Sequence, residues 1–378
     1  MKKKIILLST FILIALSVSL FKNSKKYIEI DGIKYAITVN GAVASTFPSG
    51  NYTAGVDCNN ARGYYDKQSS KVIIEDVTGN VSCNIAFNEV GNSDYLNNHI
   101  ISLVNQTQGD GKIVSENGYR YEGKNPNNYV WFNNELWRII GVFDSSSHGV
   151  TDTNLVKLIR NGSIGSVVWG LYSGNTITND WKYTSLNSLL NNTYFNATST
   201  SCYGHYSHPA LTEYNIPNTC DYQDSGIKYD YRNLIANVTW YLGGGGNEGY
   251  TTYTPDNIYA YERDSSSVKS GNSFSTLARI GLMYESDYLY GVLESDCNRT
   301  TLHDGYGSQN CIAGNWLNST GIEWLISPSG NNVWAVDGSV YVYGTTNGLG
   351  VRPVLYLNSN VYRVSGSGSL LDPYIIGM

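Results

Sequence analysis

Tyr129-Val130-Trp131-Phe132-Asn133-Asn134-Glu135-Leu136-Trp137-Arg138-Ile139-Ile140 reads as a β-hairpin turning at Asn133-Asn134, with apolar residues on both faces of its arms. A strand wetted on one side alternates apolar with polar residues, so this pair is expected at the centre of a sheet covered on both sides. Working outward, Leu155 to Arg160 makes a third strand, and Ala278 to Met283, Glu323 to Ser327, Asn332 to Tyr343 and Val351 to Leu357 complete a β-dominated second half. Short helices are expected from Asn92-Ser93-Asp94, as a cap, to Asn105 with Leu96, Ile100, Leu103 and Val104 on one stripe, at Ser185 to Leu190, and at Tyr231 to Leu242. The fold class is therefore α+β. Long aperiodic stretches at 196–230, 243–275 and 296–320 are of the kind that carry binding surfaces or decoration.

Upstream lies a separate signal. Tyr27 to Ala36 is a hairpin around Asp31-Gly32, which sets Glu29 opposite Lys34. Strands follow at Asn51 to Cys58, Lys71 to Val77 and Val81 to Phe87, where Val81, Cys83, Ile85 and Phe87 share a face by period two. Cys83 then points inward, where Cys58 meets it. A unit of ~60 residues buries little apolar surface, and one bridge adds ~3 kcal/mol. The chain divides into 1–26, a signal anchor or signal peptide; 27–88, a small disulfide-stapled all-β module; 89–117, a helix and linker; and 118–378, the larger α+β domain.

The N-terminus argues for export. Lys2-Lys3-Lys4 precede Ile5 to Phe21, 17 residues without a charge, and Lys22, Lys25 and Lys26 close the run. A helix of that length just spans a bilayer core of ~30 Å. Small residues at Ala15, Ser17 and Ser19 keep a cleaved signal open beside an uncleaved single-pass anchor with the body outside. The six cysteines fall into local couples, Cys58/Cys83, Cys202/Cys220 and Cys297/Cys311, which in an exported chain read as structural bridges. Six of the 25 basic residues and none of the 31 acids lie in 1–26, leaving 19 against 31 in an acidic body. Such a body is no partner for nucleic acid.

Chemistry is harder to find. His205-x-x-His208 near Cys202 and Cys220 fits no tight zinc pattern, and the oxidising compartment favours a bridge, so no metal is expected. His303-Asp304 reads as surface polarity, and Gly244 to Gly249 matches a dinucleotide string but follows an expected helix, so no cofactor is expected either. Carboxylates such as Glu135, Glu294, Asp296 and Glu323 are scattered. Asn-x-Ser/Thr triplets at Asn191, Asn196, Asn237 and Asn318 are read as chance in a chain this rich in Asn, Ser and Thr.

The segment Asn332 to Tyr343 is more telling. A two-residue turn at Asp337-Gly338 sets Trp334 opposite Tyr341 and Ala335 opposite Val340. One face is then Val333, Ala335, Val340 and Val342, and the other carries Asn332, Trp334, Ser339, Tyr341 and Tyr343 beside Val336. Large amphipathic rings among hydroxyls and amides suit rigid recognition surfaces. Those five residues are the candidate ligand contacts; the plainer account buries Trp334 and Tyr341 under a loop.

Trp137-Arg138-Ile139-Ile140-Gly141-Val142-Phe143, the Asp180-Trp181 to Leu190 segment, Trp324-Leu325-Ile326-Ser327-Pro328, Val336-Asp337-Gly338-Ser339-Val340 and Gly350-Val351-Arg352-Pro353-Val354-Leu355 resemble, in order, an uncharacterised bacterial family of surface domains. The resemblance spans about 118–375 and implies a C-type-lectin-like fold of the formylglycine-generating-enzyme branch: two helices against twisted antiparallel strands, binding through irregular loops and the late hairpin. The calcium-dependent sugar motifs EPN, QPD and WND are absent, and the catalytic cysteine pair of the formylglycine-generating enzymes has no counterpart. Residues 27–88 resemble modules that join such domains to a membrane anchor in gut Firmicutes. The expected role is a membrane-anchored binding protein for a protein or glycan, without catalysis. A cell-surface hydrolase of polysaccharide or peptidoglycan, and a purely structural envelope protein, stand as alternatives.

Overall fold

The computed structural model describes residues 5–8, 28–30, 33–50, 52–66, 71–91, 94–170, 178–202, 217–245, 253–303 and 308–377. The chain forms two compact units, residues 1–94 with 377–378, and residues 95–376.

In the smaller unit, Ile28–Ile30 pairs antiparallel with Ile33–Val39, and Glu29 faces Lys34 as the alternation requires. Ile33–Val39 then runs parallel to Val81–Glu89, which pairs antiparallel with Tyr52–Cys58. A second, three-stranded sheet of Ile5–Leu8, Lys71–Glu75 and Arg62–Asp66 contributes Val72 and Ile74 to one apolar core with Ile33, Ile37, Val81, Cys83, Ile85 and Phe87. The alternating face expected of the last strand is thus the buried one. Fully burying each large aliphatic side chain is worth roughly 1.5–3 kcal/mol. Cys58 and Cys83 sit directly opposite one another in the ladder and are bonded, with Cα atoms 4.1 Å apart. Gly63 passes so close that a Cβ there would lie 2.7 Å from the Cys58 sulfur and 2.5 Å from a Val56 methyl.

The expected N-terminal membrane helix falls largely on residues outside the described ones; within it, Ile5–Leu8 is a strand. No helix among the described residues is long and apolar enough to cross a membrane. The Asp31-Gly32 turn also lies outside the described residues.

The larger unit is built on the hairpin Tyr129–Phe132 and Glu135–Phe143, in the middle of a nine-stranded sheet. Asn133 and Asn134 take φ of 59° and 61°, the left-handed pair a two-residue hairpin turn demands and asparagine tolerates. Trp137, Ile139, Ile140 and Val142 are all buried, so both faces are covered. The sheet runs Ile280–Gly281, Val354–Tyr356, Leu155–Arg160, Glu135–Phe143, Tyr129–Phe132, Tyr374–Gly377, Tyr362–Ser365, with Tyr119–Asn125 and Asp110–Ser115 branching from the Glu135–Phe143 strand. The Tyr374–Gly377 strand joins Tyr129–Phe132 in parallel. A second sheet of five strands orders Ser166–Val168, Gly348–Gly350, Glu323–Ser329, Asn332–Val336 and Val340–Tyr343.

Among the described residues helices are few and short. Leu96–Ser102 buries Leu96 and Ile100, starts after Tyr95 without a side-chain cap, and ends before Leu103 and Val104, which are half-buried. The helix expected over Tyr231 to Leu242 is a correction: one turn at Tyr229–Arg232 precedes the strand Val238–Tyr241. Val238 and Trp240 are buried and Thr239 and Tyr241 half-buried, so β-branched and aromatic residues with period two won over a helical reading. The strand Val238–Tyr241, paired antiparallel with Ser275–Ala278, thus precedes Gly244 where the sequence suggested a helix. A dinucleotide fingerprint needs a parallel βαβ unit, and residues 246–249 of the string lie outside the described residues.

Candidate functional site

The helix Pro255–Glu262 begins with the Thr254 hydroxyl accepting from the Asn257 backbone N–H at 3.3 Å and with proline in the first turn, where its missing N–H costs nothing. From there Asp256, Tyr259, Ala260 and Arg263 fall on one face by three- and four-residue spacing. These four residues, with Asn117, Ser146, Tyr241 and Phe274, line a groove of about 670 Å³. Tyr241 and Phe274 form a tilted ring pair with centroids 5.5 Å apart. The Arg263 guanidinium lies 3.6 Å from the centre of the Tyr259 ring, and the Tyr259 hydroxyl bonds Ser147 Oγ at 2.6 Å.

Polar groups at the mouth are held from behind. Asp256 Oδ1 accepts from Asn117 Nδ2 at 2.8 Å and from the Tyr290 hydroxyl at 2.5 Å. Glu262, on the covered side of the helix, accepts from the Ser286 N–H and hydroxyl at 2.8 and 2.6 Å and pairs with Arg263 at 2.8 Å. Asp287 Oδ1 accepts from Arg120 at 2.9 Å, and its Oδ2 takes Lys157 Nζ and the Tyr284 N–H. Lys157 is 0% exposed and Asp287 1%, which makes this an enclosed charge triad. Burial works to raise the Asp287 carboxyl, but the charges of Lys157 and Arg120 outweigh it and hold the group below the usual carboxylate range. Burial pulls the Lys157 ammonium down to about 8 against the attraction of Asp287, so both remain ionised at neutral pH. Arg299 continues the network, pairing with Glu116 and Glu122 at 2.6 Å each. Glu122 is pushed up to about 8, by burial chiefly, with Arg299 opposing.

Aromatic faces thus stand beside amide, hydroxyl, carboxylate and guanidinium groups, the chemistry that can meet hydroxyl-bearing molecules, in a volume suited to a small ligand. Asp256 is the sole carboxylate among the described lining residues, and both oxygens of Glu262 are engaged behind them. Acid catalysis of glycoside cleavage uses two carboxyl groups flanking the bond.

The late hairpin differs from its expected register. Val333 faces Tyr343, Trp334 faces Val342, Ala335 faces Tyr341 and Val336 faces Val340. The loop holds three residues, closed by the Asp337 N–H donating to the Ser339 carbonyl at 2.9 Å, with Gly338 at φ 71°. One extra loop residue moves one arm by one step, and directly opposed residues share a face. Trp334 therefore parts from Tyr341 and Tyr343. Its ring lies 5.2 Å from His303, which stacks on Tyr253 at 3.8 Å and contacts Glu285 through Nε2 at 2.7 Å. Of the other candidates, Tyr341 is 39% exposed, Tyr343 half-buried, Asn332 exposed, and Ser339 only 2% exposed. The hairpin does not gather the five into one patch.

His303 is a further correction: at 6% exposure it is buried between rings rather than on the surface. Asp304, His205 and His208 lie outside the described residues. Cys202 is bonded to Cys220, bridging Ser199–Ser201 and Thr219–Asp221, and Cys297 to Cys311. Sequence reasoning missed Asp256, Tyr259 and Arg263. Thr254-Pro255 is a helix-start signal that could have found their helix inside the aperiodic 243–275 stretch.

No family model matches this chain, and no curated protein or solved structure is significantly similar to it.

Proposed function

We propose that the chain is an extracytoplasmic binding protein, held at a membrane by its N-terminal apolar run, whose larger unit is a C-type-lectin-like α+β domain that captures a glycan or protein ligand without transforming it. The groove of Tyr241, Phe274, Tyr259, Asp256, Asn117 and Arg263 carries the reading. Its rings offer apolar contact at small entropic cost, and its polar atoms are held by fixed partners, Asp256 by Asn117 and Tyr290, Arg263 by Glu262 and Tyr259 by Ser147, which favours a rigid receptor. Three disulfides, with no free cysteine among the described residues, support an oxidising compartment.

The test is a glycan and surface-protein array probed with the full chain and with Tyr241→Ala and Asp256→Asn. The expected result is a restricted set of ligands that both variants lose by tenfold or more in affinity, about 1.4 kcal/mol. Retention of every ligand by both variants would remove the groove from the account. One observation favours a hydrolase instead, the His303 and Glu285 contact, a histidine–acid pair of the kind catalysis uses. Release of reducing ends from a polysaccharide, lost in His303→Ala and kept in Tyr241→Ala, would establish that alternative.

A further inference from the structure

A second groove, of about 510 Å³, has a different chemistry. Its wall is the short helix Ser185–Ser188 continuing into a wide π-helical segment, Leu189–Tyr194, closed by the Phe195 N–H donating to the Leu190 carbonyl at 3.0 Å. Residues four apart lie on one side of such a segment, and π-helical turns concentrate at functional sites. Here the aligned residues are Asn187 with Asn191, and Ser188 with Asn192 and Asn196. Each later amide donates back along its row: Asn191 Nδ2 to Asn187 Oδ1 at 2.8 Å, Asn192 Nδ2 to Ser188 Oγ at 3.1 Å, Asn196 Nδ2 to the Asn192 carbonyl at 2.7 Å. Asn191 also bolts the row to the opposite wall, accepting from the Arg279 and Ile280 N–H groups at 3.1 and 3.0 Å and donating to the Ile280 carbonyl at 2.8 Å.

One N–H of each of the Asn192 and Asn196 amides is engaged internally, while their side-chain oxygens and the exposed Asn237 amide have no partner among the described residues. Lys182 and Arg279 are the charged groups of the described lining, and both are cationic. The Arg279 side chain is fixed by donating to the Ile235 carbonyl at 2.9 Å and lies 5.3 Å from the Phe195 ring. Leu277, 65% exposed, adds an apolar contact on the same wall. A carboxylate-free groove with two cations stands out in a chain whose net charge is -6.

We propose that this groove binds an acidic, hydroxyl-rich ligand: its carboxylate or phosphate is met by Lys182 and Arg279, and its hydroxyls donate to the amide oxygens of Asn192, Asn196 and Asn237. Amide acceptors select hydroxyl donors, the cations select an anion, and Phe195 and Leu277 take the apolar face of a sugar or polyol. The site is separate in its residues from the aromatic groove and stands or falls independently of it.

The experiment measures binding of the full chain to a uronic-acid polysaccharide, a polyol-phosphate polymer and neutral dextran, at low and high salt, for wild type and Lys182→Gln/Asn192→Ala. Both substituted side chains are exposed, so melting temperature serves as the check on folding. The expected result is salt-sensitive binding of at least one acidic polymer, silence toward dextran, and a loss of about tenfold or more in the double variant with an unchanged melt. The tighter of the two polymers identifies the anion as carboxylate or phosphate. Equal binding of dextran, failure of both acidic polymers to bind, or undiminished binding by the double variant overturns the proposal.

Discussion

Asp287→Asn is the sharpest probe of the enclosed charge triad, because it changes charge and hydrogen bonding while keeping shape. Two cations about 3 Å from one carboxylate, at an effective dielectric near 20, each gain on the order of 5 kcal/mol of Coulomb energy. Desolvation cancels most of that sum, so the intact triad contributes little net stability, whereas removing its anion leaves Lys157 and Arg120 buried without compensation. The amide also turns a donor toward the ammonium and weakens the acceptor of the Tyr284 N–H at the helix start. The expected loss is about 3–5 kcal/mol. All eight tryptophans lie beyond residue 94, so fluorescence in a urea titration reports the larger unit alone. The midpoint should fall with little change in slope. Adding Lys157→Met should restore at least about 1 kcal/mol, since the second change removes the stranded charge. A midpoint shift worth under about 1 kcal/mol, or a double variant weaker than the single, would refute the description of a compensated triad.

Two pH limbs follow from opposite shifts. Asp287, held below the usual carboxylate range, contributes stability above the ordinary carboxyl pKa that is lost as pH falls through its folded value; Glu122, raised to about 8, contributes stability that is full below about 4.5 and lost as pH rises to about 8. Glu122→Gln should flatten the second limb in a pH series of urea midpoints, and an unchanged limb counts against the assignment. Tyr341→Ala should leave the melt within about 0.5 kcal/mol of wild type, while Trp334→Ala, packed on His303, should cost about 2–4 kcal/mol; equal effects would return both to one surface. Reduction of Cys58–Cys83, whose partners are 25 residues apart, should weaken the smaller unit by ~3 kcal/mol, read by proteolysis of residues 28–91; intact resistance contradicts the staple.

Local patterning was readable wherever two independent signals agreed. The Asn133-Asn134 turn between arms apolar on both faces, the Glu29 to Lys34 pairing and the Val81, Cys83, Ile85, Phe87 face each joined turn chemistry or alternation to burial. The late hairpin failed by one residue because Asp337-Gly338 suits a two-residue turn as a string, while the chain spends Ser339 in the loop as well. Tyr231 to Leu242 failed because helix and strand patterns overlap in short apolar runs, and pairing with Ser275–Ala278 decides between them. The grooves were out of reach for a different reason. Asn117, Tyr241 and Asp256 come together through tertiary packing, with no spacing rule linking them. Lys157 carried a clue, standing inside a strand whose two faces are both apolar, which obliges its charge to find a buried partner.

The parallel pairing of Val130 with Tyr374 and of Trp131 with Ile375 has a consequence for biogenesis. That neighbour of the central hairpin lies about 240 residues further along the chain. The big sheet cannot complete its middle until those residues emerge, so during synthesis the unit stays open and its apolar arms stay exposed to wrong pairing. A nascent chain stopped short of Tyr374 would leave Tyr129–Phe132 as a bare edge, primed to aggregate.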